Sequence, residues 1–264
     1  MDKRRGQVSI FILFSFVILI IAGFLFYLNH QVEEIKQEVK IQSASSDLST
    51  PIKSYVDLCL KSTGESALYF TGLQGGFFNE PSHKIDSKGI FYNFFHAVYL
   101  FNGENVMPSL QTIENEISNY IDENLDSCID DFKDFNNLGY KITRSGFSTA
   151  TSINEDTVAF SLNFPIAVEK GQKSSTMEDF LVVIPSRLSL VYSLAENITD
   201  DQLTHLGSIC ISCLIELGDA NNLYFELIPK TANVTIIAVE DNQTKLSNKP
   251  YVFVFAIDHN VNAA

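Results

Sequence analysis

The hydrophobic pattern changes character several times along the chain, and each change predicts a different element. Between residues 8 and 28 there is no charge, and only Ser9, Ser15 and Gly23 break the run of apolar side chains. At about 1.5 Å per residue such a helix reaches roughly 31 Å, one hydrocarbon thickness. Lipid offers no partner for free backbone groups, so a transmembrane helix is the expected state. Beyond it the chain turns polar, with Val32, Ile35 and Val39 at helical spacing, which predicts a stalk carrying the helix to residue 42. Residues 43–49, SASSDLS, read as a short linker.

Thr50-Pro51 places an N-cap hydroxyl before a proline at the first helical position. The predicted helix runs to Gln74 and buries Ile52, Val56, Cys59, Leu60, Ala67 and Phe70, and Gly75-Gly76 stops it. Residues 90–101 are dense in aromatics and fit helix or strand, ahead of a tight turn at Asn102-Gly103. A second helix is predicted from Ser109, with Leu110, Ile113, Ile117, Ile121, Leu125, Cys128 and Phe132 on one face. After Tyr140 the period shortens to two, giving strands at 149–153, 158–164 and 180–184. Ser186 caps a helix to Ile198, and Thr199 with Gln202 forms a capping box for another at 200–217, ended by Gly218. Strands at 224–228, 234–240 and 251–257 close the chain, the last two joined by a polar loop at 241–248. The expected fold class is α+β: a long N-terminal transmembrane helix, a helical part at 50–139, and at 140–264 an antiparallel sheet with an inserted helix pair.

Charge gives this layout a direction. Lys3-Arg4-Arg5 stands in front of the apolar run and holds the N-terminus in the cytoplasm, which sends everything after residue 28 to the other side of the cell membrane. The chain carries 18 Lys+Arg against 32 Asp+Glu, a net charge of −14. Three of the cations belong to the clamp, so the exported part is more acidic still. Nucleic acid, which needs a basic face, is excluded as a partner. With 45% apolar residues and 21 Phe the chain has ample material for a core.

The KRRG leader (residues 1–6 in full) followed by QVSIF resembles the archaeal class III signal peptide of type IV pilin-like proteins. The resemblance implies a cut after Gly6 by a prepilin peptidase-like enzyme, Gln7 as the new N-terminus and Ser9 as the serine at the third mature position. Phe11 stands where that group usually carries Glu. The phrases YVDLCL, GLQGG, ENLDSCI and PYVFVFA are similar to archaeal membrane-anchored proteins with the same leader, a likeness that brings no activity with it.

Candidate chemistry is sparse. Four cysteines outside the cytoplasm allow three disulfide pairings. Cys59 and Cys128 lie on the apolar faces of two predicted helices, where they form either a bridge or two buried thiols. Cys210 and Cys213 make a C-x-x-C which, with His205 and His259, is the only zinc or redox candidate. Its apolar flanks and its place past the middle of a predicted helix favour core thiols or a local disulfide instead. Sequons at Asn197, Asn233 and Asn242 would accept glycans outside the cell, though three are expected by chance. There is no G-x-S-x-G, H-E-x-x-H, glycine-rich phosphate loop or calcium loop, so neither an enzyme nor a cofactor is expected. Two functions remain. One is a pilin-like surface protein, anchored or assembled into a homo-oligomer or filament through its apolar helix. The other is an uncleaved, membrane-anchored binding or adhesion module with an acidic extracellular head.

Overall fold

The computed structural model describes residues 48–88, 93–205 and 209–259. Helix α1 (Thr50–Leu73) leads into strands β1 (Lys84–Lys88), β2 (Asn93–Phe101) and β3 (Glu104–Asn105), then helix α2 (Leu110–Ile129). A 3-10 turn at Asp130–Phe132 and the short helix α3 (Lys133–Asn137) follow. Four strands come next: β4 (Lys141–Arg144), β5 (Ser148–Ile153), β6 (Thr157–Lys170) and β7 (Lys173–Pro185). Helices α4 (Leu188–Thr204) and α5 (Ile211–Asn221) precede β8 (Tyr224–Pro229), β9 (Val234–Leu246) and β10 (Lys249–Asp258).

Two sheets form, and the first corrects the expected fold class. Its strand order is β1-β2-β10-β9-β8, with β3 beside β2. Strand β10 runs parallel to β2 and antiparallel to β9, so the sheet is mixed. Three of its strands lie inside the part expected to be helical. The reason is visible in β2, where Phe95, Ala97, Val98, Tyr99 and Leu100 are all buried. A strand covered on both faces loses the alternation that identifies strands. Val98 packs with Ile236, Val254 and Ala256 on one face, while Tyr99 stacks on Phe255 on the other, ring centroids 4.7 Å apart. The expected transmembrane helix is corrected too. No helix among the described residues is long and apolar enough to cross a membrane, and residues 1–42 lie outside the described residues.

The second sheet is antiparallel, with β6 at its centre. Strand β7 lies along one side of β6, and β5 and β4 follow each other along the other side. Pro165 sits where the β6–β7 register shifts, a bulge that spares the ladder a missing donor. Helix α1 reaches both sheets. A Cβ on Gly64 would meet the Phe160 ring of β6, and one on Gly72 would meet Val252 O and the Tyr251 ring of β10. Cys59 of α1 is bonded to Cys128 of α2 across a sequence separation of 69. By the loop-entropy model that bridge contributes about 4 kcal/mol.

Helix α2 also closes the sheet edge at β5. Glu114 Oε1 accepts from the Ile153 N–H at 2.8 Å, and Ser118 Oγ accepts from the Thr151 N–H at 3.0 Å. Four helical residues rise about 6 Å and two strand residues about 6.7 Å, so every fourth side chain meets every second amide. Asp122 continues the row opposite Thr149 with looser geometry. Asp122 Oδ1 and Thr149 Oγ1 are buried without a well-aligned partner. Burial pushes the Asp122 carboxyl up, and the nearby Thr149 hydroxyl and N–H offset part of the rise.

Candidate functional site

The site worth building is the C-x-x-C, because the structure moves it from mid-helix to a helix start. Thr199 and Gln202 do not cap a new helix. Both are buried inside α4, and Thr199 Oγ1 donates to Ala195 O at 2.7 Å. Helix α4 runs on to Thr204, and the next helix begins only at Ile211 with Cys210 as its N-cap. Cys210 Sγ accepts from the Cys213 N–H at 3.3 Å, and Cys210 and Cys213 form a disulfide. Cys213 is exposed and Cys210 half-buried.

The apolar flanks are only partly covered. Leu214 is buried, but Ile211 and Ile215 are 61% and 60% exposed. Both isoleucines line one apolar hollow, and Leu214 is shared between it and a second. The second hollow, of about 360 Å³, lies between α4 and α5; its wall includes Ile198, Cys210, Cys213 and Leu214, with Asp201 and Glu216 also in it. Gln202 is 1% exposed, and its Oε1 has no hydrogen-bond partner among the described residues. The other hollow, of about 260 Å³, includes Ile211, Ile215, Leu223 and Phe225 with the exposed Tyr224 of β8.

The opposite end of α5 is held by residues that sequence reasoning missed. Arg187, between β7 and α4, donates from Nη1 to Asn221 O at 2.9 Å, which places a cation against the last carbonyls of the helix. Its Nε donates to Asp241 Oδ2 at 3.1 Å and its Nη2 to Asp241 Oδ1, so the pair is bidentate. Asp241 is fully buried. Burial alone would raise its carboxyl, but Arg187, the Thr244 hydroxyl and the Gln243 N–H together hold it below the ordinary value. Most of the predicted loop at 241–248 is therefore strand: β9 runs to Leu246 with a bulge, and only Ser247 and Asn248 make the turn. Tyr251 faces Asp241 while Pro250 faces Lys245, and the extra residues fold around the arginine. A pairing across 54 residues leaves no periodic signal in the sequence.

The remaining sequence candidates are scattered. His205 is exposed at the end of α4, with Nδ1 3.1 Å from Asp201 Oδ1 and 2.9 Å from Thr204 Oγ1. His259 lies beyond β10, where its N–H donates to Asn233 O. The Cys210 and Cys213 sulfurs are bonded to each other, and among the described residues no group of three or more His, Cys, Asp or Glu is arranged to hold a metal. Asn197, Asn233 and Asn242 are all exposed. Thr199 and Thr244 of the first and third sequons are buried, whereas Thr235 of the second is not. Gly6, Gln7 and Ser9 lie outside the described residues. No protein-family model, curated protein or solved structure matches the chain.

Proposed function

We propose that the chain is a pilin-like structural surface protein, held in or assembled from a membrane through its apolar leading stretch, with its acidic α+β body outside the cell. The observation that carries this reading is the state of sulfur. All four cysteines are closed into two disulfides, a pattern at home in oxidising compartments and rare in the cytosol. The basic clamp ahead of the uncharged run at 8–28 supports the same direction of export.

Connectivity supports a role under load. The chain enters the body through α1, whose ten buried residues include Cys59, bridged to α2. A pull transmitted along the chain therefore meets a covalently tied helix first.

N-terminal sequencing of the mature protein, with protease added to intact cells, tests the proposal. The expected result is a chain that starts at Gln7 and a body that is digested. A chain starting at Met1 removes the pilin-like processing, and a body that survives protease overturns export.

A further inference from the structure

We propose that the Cys210–Cys213 disulfide is a thiol–disulfide exchange site that oxidises dithiols on extended, apolar segments of other polypeptides. Three features of the site converge. The first is the helix start. Cys210 occupies the N-cap of the 11-residue α5, and its sulfur already accepts the Cys213 N–H. A thiolate released there is stabilised by the helix N-terminus and that donor, which makes Cys210 the leaving group. Cys213, the exposed partner, is the sulfur open to attack.

The second feature is a seat for the substrate. Ile211 and Ile215 stand out next to the disulfide and line one apolar hollow, while Cys210 and Cys213 themselves line the other. An extended segment with apolar side chains fills such hollows while its cysteine meets Cys213.

The third feature is the weakness of the bridge as a staple. Its sequence separation is 3, for which the loop-entropy model gives about 2 kcal/mol, half the contribution of the long bridge. Stability alone accounts poorly for two cysteines at an exposed helix start.

The exchange balances without another reactant. A substrate thiolate attacks Cys213 Sγ, a substrate–Cys213 bond forms, the Cys210–Cys213 bond breaks, and its electron pair leaves on Cys210 Sγ. The second substrate thiolate then attacks the substrate sulfur of the mixed disulfide. The substrate disulfide forms and Cys213 leaves as thiolate. One dithiol is oxidised per chain and the C-x-x-C is reduced, its two thiols taking up the two protons.

The test uses the full chain in detergent, with an excess of a reduced apolar peptide carrying two cysteines, quenched by alkylation and mapped by mass. Cys210 and Cys213 become alkylated, Cys59–Cys128 stays closed, and one peptide disulfide forms per chain. With the oxidised peptide, the Cys210→Ser variant captures it as a mixed disulfide on Cys213. Replacing the two exposed isoleucines, Ile211→Ser with Ile215→Ser, slows exchange with the peptide about tenfold and leaves exchange with glutathione unchanged. The proposal is overturned if the pair stays closed in the folded protein, if it opens no faster than Cys59–Cys128, or if the isoleucine variant slows both probes alike.

Discussion

At Gly64 two effects of a single methyl group oppose each other. Glycine inside a helix costs about 1 kcal/mol relative to alanine, so an alanine at an open site would stabilise α1. Here the added Cβ falls 2.3 Å from Phe160 Cε2, and the Phe160 ring is itself fully buried. Overpacking wins, and Gly64→Ala is expected to destabilise by about 1–3 kcal/mol, read as a lower urea midpoint with an unchanged slope. Charge gives the second prediction at this scale. Arg187→Ala leaves the fully buried Asp241 without its counter-ion, at a cost of about 3–5 kcal/mol. The same substitution frees the carbonyls of Asn221 and Asn222. Amide exchange in α5 should therefore quicken more than exchange in α2, which shares no hydrogen bond with Arg187.

The α2–β5 contact belongs to the scale of elements. Ser118→Ala removes the acceptor for the Thr151 N–H while the neighbouring Glu114–Ile153 rung stays in place. A buried donor left alone costs about 1–3 kcal/mol, and the Thr151 amide should lose its exchange protection first. Elements of this molecule were legible wherever local chemistry decided them. Helix α1 starts at Thr50 and ends ahead of Gly75 and Gly76, both at positive φ, as the proline and the glycine pair indicate. The strands with one covered face were equally plain, since Val158, Phe160, Leu162 and Phe164 alternate with less buried neighbours. Legibility ended where partners distant in sequence took over. Strand β2, buried on both faces, kept no period, and α2 stops at Ile129 because Asp130 turns left-handed. Phe132, expected on the helix face, is buried from a left-handed position against Phe164 instead. At the C-x-x-C the apolar flanks predict core although Ile211 and Ile215 face outward, and the long apolar pattern hides a helix start inside a predicted helix. Periodicity counts apolar positions without saying which face is covered.

Acid tests the molecule as a whole, because its titrating groups do not all pull in one direction. Burial lowers the pKa of His96, with Lys230 adding to the shift and the hydrogen bond from Nδ1 to Leu73 O opposing it. Burial also lowers His259, against the pull of Asp258. A histidine whose folded pKa lies below the ordinary value of about 6.5 binds fewer protons folded than unfolded. Its contribution is complete above that value and is lost as pH falls through the folded pKa. Asp241, held low by Arg187, behaves alike but in the carboxylate range, so its loss begins only below about pH 4. Asp122 has the opposite sign. Its raised carboxyl takes up a proton more readily in the folded chain, so it resists acid. Self-repulsion also eases as pH approaches the pI of about 4.7. The two histidines act on the way down ahead of Asp241. Urea midpoints should therefore fall between about pH 7 and pH 5. In His96→Asn the slope over that interval should shrink, because one of the two groups that charge on unfolding is gone. A midpoint that holds steady or rises across the interval would mean that relief of acidic repulsion outweighs the cost of charging both histidines.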